Sequence, residues 1–152
     1  MTVLARFDIL GTPVQQGSKK GFMQGGRVQL VEDAGPRHKS WRATVAEAAR
    51  TVADADPLAP YTGPLFVTID FRFTMPAKRS AATRRAGIAW KSTTPDIDKL
   101  ERALYDGLKV GGLIHDDAII AMHLVRKLEV TGNGAWLGAH VVIQPLTGTP
   151  IL

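Results

Sequence analysis

The sequence predicts a single α/β domain on a mixed β-sheet of about four strands with two helices. Three observations predict it. Leu65, Val67, Ile69, Phe71 and Phe73 alternate with Phe66, Thr68, Asp70, Arg72 and Thr74, the period of two of a half-buried strand. Trp41, Val45, Ala48, Ala49 and Val52 recur at the i, i+4, i+7, i+8, i+11 spacing of one buried helical face. The length of 152 residues, with 45% hydrophobic and 22% charged, is ordinary for a chain with one core.

Taken in order, Val3 to Leu10 reads as the opening strand, ended by Gly11-Thr12-Pro13. A basic arm follows over about 15–31. It is polar and glycine-rich, and Gly25-Gly26 marks a tight turn before Arg27 to Val31, so a hairpin or an extended arm is expected. Ser40 is the expected N-cap of the first helix, which should stop near Asp54 to Pro57. Gly63-Pro64 opens the alternating strand and Met75-Pro76 closes it. A basic loop over about 75–95 leads to the second helix, from about Ile97 to Leu108, between Pro95 and Gly111-Gly112. Its Ile97, Leu100, Leu104 and Leu108 are expected to face the core. Two last strands, Ala118 to Val130 and Ala135 to Gln144, flank Gly132-Asn133-Gly134, a hairpin signal. A short tail occupies 145–152. There are no internal repeats and no long linker.

The composition excludes several functions. With no cysteine there is no disulfide, zinc–thiolate site or cysteine nucleophile. No apolar run approaches about 20 residues and the N-terminus lacks signal-peptide features, so a cytoplasmic protein without membrane attachment is expected. The glycine pairs form no nucleotide-binding fingerprint, so no nucleotide cofactor is expected. The formal charge of +5 suits a polyanionic partner. Its distribution sharpens that reading. Lys19, Lys20 and Arg27 lie in the arm, Arg37, Lys39 and Arg42 follow, and Lys78, Arg79, Arg84, Arg85 and Lys91 crowd a segment, Thr74 to Pro95, that holds no acidic residue. That loop reads as a phosphate-binding surface, against the alternative of a merely solvated loop. Trp90 within it is a candidate for DNA contact, while Trp41 belongs to the core.

Against this basic background stand two acidic pairs, Asp96 and Asp98 in the run Pro95-Asp96-Ile97-Asp98, and Asp116-Asp117 beyond the second helix. Aspartate is a favoured N-cap, and Asp98 to Glu101 has capping-box spacing. One cap needs one aspartate, however, and the second is free for another task. Asp98, Arg102 and Asp106 share a helix face at i, i+4, i+8. Arg102 is either half of an intrahelical ion pair or a cation beside a scissile phosphate. Asp116 and Asp117 are expected to open the next strand, where neighbours point to opposite faces, so at most one would join Asp96 and Asp98. Clustered carboxylates need a compensating cation. Oxygen-only ligands suit magnesium or manganese rather than zinc. A metal-dependent nuclease is the chemistry that unites the acidic cluster with the basic surface. The four histidines show no metal-site spacing, although His115 adjoins Asp116.

The run Pro95-Asp96-Ile97-Asp98-Lys99-Leu100, then Arg102, Asp106, Leu108 and Asp116-Asp117, resembles the RusA family of Holliday-junction resolvases, common in phages and prophages. The match of spacing has no gap, and the basic arm and loop also look like the family. The resemblance implies a homodimer that nicks branched DNA symmetrically with magnesium, manganese being a possible substitute. By position it implies that Asp96, Asp98 and Asp117 are catalytic metal-binding carboxylates, with Asp116 a lesser candidate. Arg102 stands where the family has a catalytic lysine and Lys99 where it has asparagine; arginine keeps the charge as a planar fork, suited to clamping phosphate. Lys19, Lys20, Lys78, Arg79, Arg84, Arg85, Lys91 and Lys99 would contact DNA. Two alternatives remain: a non-catalytic branched-DNA-binding protein of the same fold, and a small α/β protein whose acidic residues only cap and turn.

Overall fold

The strand with the strictest alternation becomes the centre of the sheet. In the computed structural model, which describes residues 2–16, 19–24, 26–32 and 35–152, with side chains for 2–16, 26 and 40–152, the elements run as follows. β1 is Ala5–Leu10, β2 Lys19–Gln24, β3 Arg27–Glu32, α1 Gly35–Ala55 and β4 Leu65–Thr74. After these come α2 at Ala81–Ala86, β5 at Ile88–Trp90, α3 at Ile97–Val110, a 3-10 turn at Asp117–Ile119, β6 at Ile120–Val130 and β7 at Gly138–Pro145. Five strands form a mixed sheet in the order β1-β7-β4-β6-β5, and β2 pairs with β3 as a separate antiparallel hairpin. The expected fold class holds, with one more strand in the sheet and one more helix than the sequence suggested.

Val67, Ile69 and Phe71 of β4 are wholly buried against Trp41, Val45 and Ala49 of α1 and Leu100, Ala103, Leu104 and Leu108 of α3. Burying each larger apolar side chain stabilises the fold by about 1.5–3 kcal/mol. The two helices pack on each other through α3's small residues. A methyl group added at Gly107 would overlap Val45, and one at Gly111 would overlap the Ala46 carbonyl and Ala49. Ile97, expected in the core, is instead exposed, because it occupies the first helical turn beyond the edge of the sheet.

Three boundaries also differ from expectation. Ser40 is not the N-cap; α1 begins at Gly35, with Pro36 in the first turn, where its missing N–H costs nothing. The Ser40 carbonyl instead accepts a bond from the Thr44 hydroxyl within the helix. The basic loop is partly ordered as α2 and β5. Ser80 caps α2 by accepting the Thr83 N–H, and Gly87 ends it at φ 78°, in the left-handed region. Finally, β6 and β7 are not a hairpin. β6 runs parallel to β4, β7 antiparallel on its other side, and residues 131–137 cross its end. Seven residues are too many for a two-residue Asn-Gly turn, and both strands do better beside the most buried strand than beside each other. The crossing is held by Arg72, which donates to the Trp136 carbonyl (3.0 Å) and lies 4.2 Å over its ring. Among the described residues no helix is long and apolar enough to cross a membrane.

Because Gly107 of α3 lies against the Val45 side chain of α1, Gly107→Ala is expected to destabilise the protein by about 1–3 kcal/mol through overpacking. This should occur even though alanine gains about 1 kcal/mol in helix propensity. Denaturant unfolding checks it; a neutral or more stable variant would mean the helices are not in close contact.

Candidate active site

Asp96 takes the N-cap position of α3, with extended backbone, yet its carboxylate makes no capping bond. Asp98 lies in the first turn, where its charge suits the helix dipole. The capping box does not form: Glu101, its expected acceptor, reaches across to His123 Nδ1 at 3.1 Å. Both aspartate side chains are solvent-exposed, at 57% and 60%. Their partners are cations of the same helix, Lys99 Nζ at 3.9 Å from Asp96 and Arg102 Nη2 at 3.3 Å from Asp98. Such exposed pairs contribute little to stability, so neither carboxylate is needed by the fold.

The backbone beneath them is held firmly. Gln15 Oε1 accepts the Asp96 N–H (3.2 Å), and the Gln16 N–H donates to the Lys99 carbonyl (3.1 Å). Lys127, from β6, donates to the carbonyls of Thr93 and Pro95, each at 2.7 Å. Burial lowers the pKa of the Lys127 amine, and repulsion from Lys91 lowers it further, with Asp96 opposing. Its bonds to two carbonyls compensate that burial and fix the chain's approach to α3.

The second acidic pair is built differently from expectation. Asp116 and Asp117 open a 3-10 turn rather than a strand, so alternation does not separate their side chains. Asp116 accepts the Ala118 N–H at 2.9 Å, and Lys109 Nζ lies 3.4 Å away. The Ala118 N–H chiefly holds the Asp116 carboxyl down, to about 2, helped by a hydrogen bond shared with Asp117. Asp117 is pushed up, first by that shared bond and then by burial.

Between the two pairs lies a third group. Glu101, Tyr105, Asp117 and His123 line a cleft of about 250 Å³. Burial raises the Glu101 carboxyl, against the favourable charge of His123. The Tyr105 hydroxyl is buried without a partner among the described residues. Asp96 and Asp98 thus share the first turn of α3, whereas Asp117 faces its Glu101–Tyr105 stretch and Asp116 its Lys109 end. Among the described residues no three histidine or acidic side chains come close enough to hold one metal ion. The three family-position carboxylates are therefore not gathered into one cluster. Their oxygen-donor chemistry still suits a hard divalent cation, and magnesium commonly takes only one or two carboxylates, with water and phosphate completing its shell.

Glu101, Tyr105, His123, Lys127 and Gln15 did not stand out in the sequence as site residues. Asp98, Glu101 and Tyr105 follow helical i, i+3, i+7 spacing, a signal that marks the first two helical ones. His123, Lys127 and Gln15 carry no such signal, because their approach depends on tertiary pairing.

The expected cations divide in two. Lys78, Arg84 and Arg85 are exposed around α2, Lys91 and Lys99 are half-buried, and Trp90 is exposed on β5 beside them. Arg84 donates to the Pro76 carbonyl, and Lys91 to the Thr93 hydroxyl, both at 3.0 Å. Arg79 is bound differently from the rest. It pairs with Glu129, a carboxylate only 2% exposed in the sheet, and donates to the Trp90 carbonyl. A buried carboxylate requires such a partner, so Arg79 has a role in the fold. Lys19 and Lys20 fall on β2, and their side chains lie outside the described residues. Arg79→Met is accordingly expected to cost about 3–5 kcal/mol in unfolding free energy by leaving Glu129 unpaired. Lys78→Met should stay within about 0.5 kcal/mol; equal effects in urea titrations would refute this division.

The family model for endodeoxyribonuclease RusA matches residues 11–135, a span containing every residue placed above. No curated protein matches the chain.

Proposed function

Because the chain belongs to the RusA endodeoxyribonuclease family, whose members imply a Holliday-junction-resolving activity, we propose that it resolves four-way DNA junctions by paired symmetric nicks with magnesium. The observation that carries this reading is the pair of exposed aspartates at the start of α3. Neither caps the helix, and they sit beside Arg102 on an otherwise basic protein. Asp96 and Asp98 would hold magnesium, or manganese in its place. Such an ion, when bound, activates water and stabilises charge on the scissile phosphate. Asp117 keeps the family's third carboxylate position, and Asp116 accompanies it.

The remaining steps belong to the chain. Arg102, oriented by Asp98, presents a planar, permanently charged fork to phosphate oxygens, so it clamps rather than donates a proton. Lys78, Arg84, Arg85, Lys91 and Lys99 track the backbone, and Lys19 and Lys20 of the arm add to the basic charge; such contacts give affinity with little base readout. Lys127 and Gln15 keep the first turn of α3 in place. A homodimer in the cytoplasm suits this task, because a two-fold protein addresses both cut strands of a two-fold junction.

The separation of Asp117 from Asp96 and Asp98 favours one other reading, a branched-DNA-binding protein that does not cut. Cleavage of a mobile four-way junction against linear duplex, with magnesium and with EDTA, distinguishes the two. Paired nicks that require magnesium are expected. Asp96→Asn should lower the rate by at least about 10- to 100-fold while junction binding persists; Asp117→Asn tests whether the second pair takes part. Binding without cleavage in any divalent metal would leave the non-catalytic reading. Arg85→Ala should weaken binding equally across sequences and reduce the salt slope by about 1. A change confined to particular sequences would show instead that Arg85 reads bases.

A further inference from the structure

His123 stands between the two acidic pairs. Because β6 runs back along α3, Asp117 meets the helix near Tyr105 and Lys127 meets Pro95, and His123 falls between them against Glu101. The Glu101 side chain is only 14% exposed and its carboxylate lies 3.1 Å from His123 Nδ1, while the imidazole itself is exposed. An ionised carboxylate only accepts hydrogen bonds, so Nδ1 carries the proton of this contact. The neutral ring then keeps its lone pair on Nε2. A sheltered carboxylate that fixes the tautomer of an open imidazole is how proteins hold a histidine ready to take a proton.

The groups around this dyad belong to the same site. Asp98, one turn before Glu101 on α3, adds its repulsion to the Glu101 carboxyl. Asp117 and Tyr105 line the cleft with His123. Lys127 lies further along the same face of β6, with Val125 between, and the β4 neighbour of His123 is the uncharged Val67. Tyr105 is 9% exposed and its hydroxyl has no partner among the described residues, so it is a donor for an oxygen brought into the cleft.

We propose that His123 is the general base of the nuclease reaction and that Glu101 is its positioning residue. The inference rests on the nuclease reading above and supplies a group that reading lacks. Arg102 is permanently charged and exchanges no proton, whereas histidine ordinarily changes charge between about pH 5 and 8. In the step, Nε2 takes a proton from a water as that water's oxygen bonds to phosphorus. The bond from phosphorus to the leaving oxygen breaks, and the leaving oxygen takes a proton from solvent. The imidazolium then returns its own proton to solvent, so the balance closes.

Two measurements test this. Nitrogen NMR of the labelled imidazole, in the protein without metal or DNA, should place the neutral ring's proton on Nδ1, and Glu101→Ala should lose that bias. Cleavage of a mobile junction in magnesium should rise with pH and level off between about 5 and 8. His123→Gln, whose amide still reaches Glu101, should cut at least about 100-fold more slowly, without that break and with junction binding unchanged. Circular dichroism checks that it folds; should it not, Glu101→Ala decides, by slower cutting at unchanged binding. A His123→Gln enzyme that keeps its rate or its break overturns the base role and leaves the nuclease reading intact. So does a wild-type proton found on Nε2, or a Glu101→Ala enzyme that cuts as fast as wild type. A wild-type protein that binds junctions but cuts none in magnesium at any pH overturns both.

Discussion

Parallel pairing of β6 with β4 is the constraint on which the rest of the molecule depends. A parallel neighbour cannot be reached by a tight turn, so the chain must leave the end of β4, cross the sheet as a helix and return. That crossover is α3. It buries Leu100, Leu104 and Leu108 on the face already defined by Val67, Ile69 and Phe71. The return strand then runs back along the helix, which is why Asp117 at its beginning meets Tyr105 and Lys127 near its end meets Pro95. Asp117 and Lys127 are both placed by this one pairing. The register carries it: Leu65 to Thr74 pair continuously with Ile120 to Val130, with a single irregularity at the first step.

Much of this was legible beforehand, and the reasons are physical. β4 and α3 were read closely because alternation and helical spacing are local signals, and Pro95 and Gly111-Gly112 bound the helix in the sequence itself. The glycine pair left a hairpin and an extended arm both open, and the β2–β3 pairing is the hairpin. The connection between β6 and β7 was misread because Asn133-Gly134 is a local cue, while the choice of neighbour is decided by burial against β4. The two aspartate pairs stand out in the sequence, but the distance between them along α3 does not. It follows from how far along α3 the return strand begins, a tertiary distance that spacing does not encode.

The basic residues show the same limit. Charge counting treated Arg79 like Arg84 and Arg85, although only Arg79 faces a carboxylate that the sheet has swallowed. That carboxylate belongs to Glu129, on the inner strand β6. It stands in the sheet between Phe73 of β4 and Ala89 of β5 and is buried there, so its charge must be neutralised from within. Arg79 thereby ties the start of the α2 segment to the sheet.

The near-contact of Gly107 and Gly111 with α1 has a consequence for how tolerant the enzyme can be. α1 carries Ser40, Trp41 and Thr44 along a cavity beside Asp96, and α3 carries the aspartates. Where two backbones touch, neither helix slides past the other without collision. The distance between the two helices is then fixed by glycine and not by hinges, and the aspartates at the start of α3 keep one setting relative to α1.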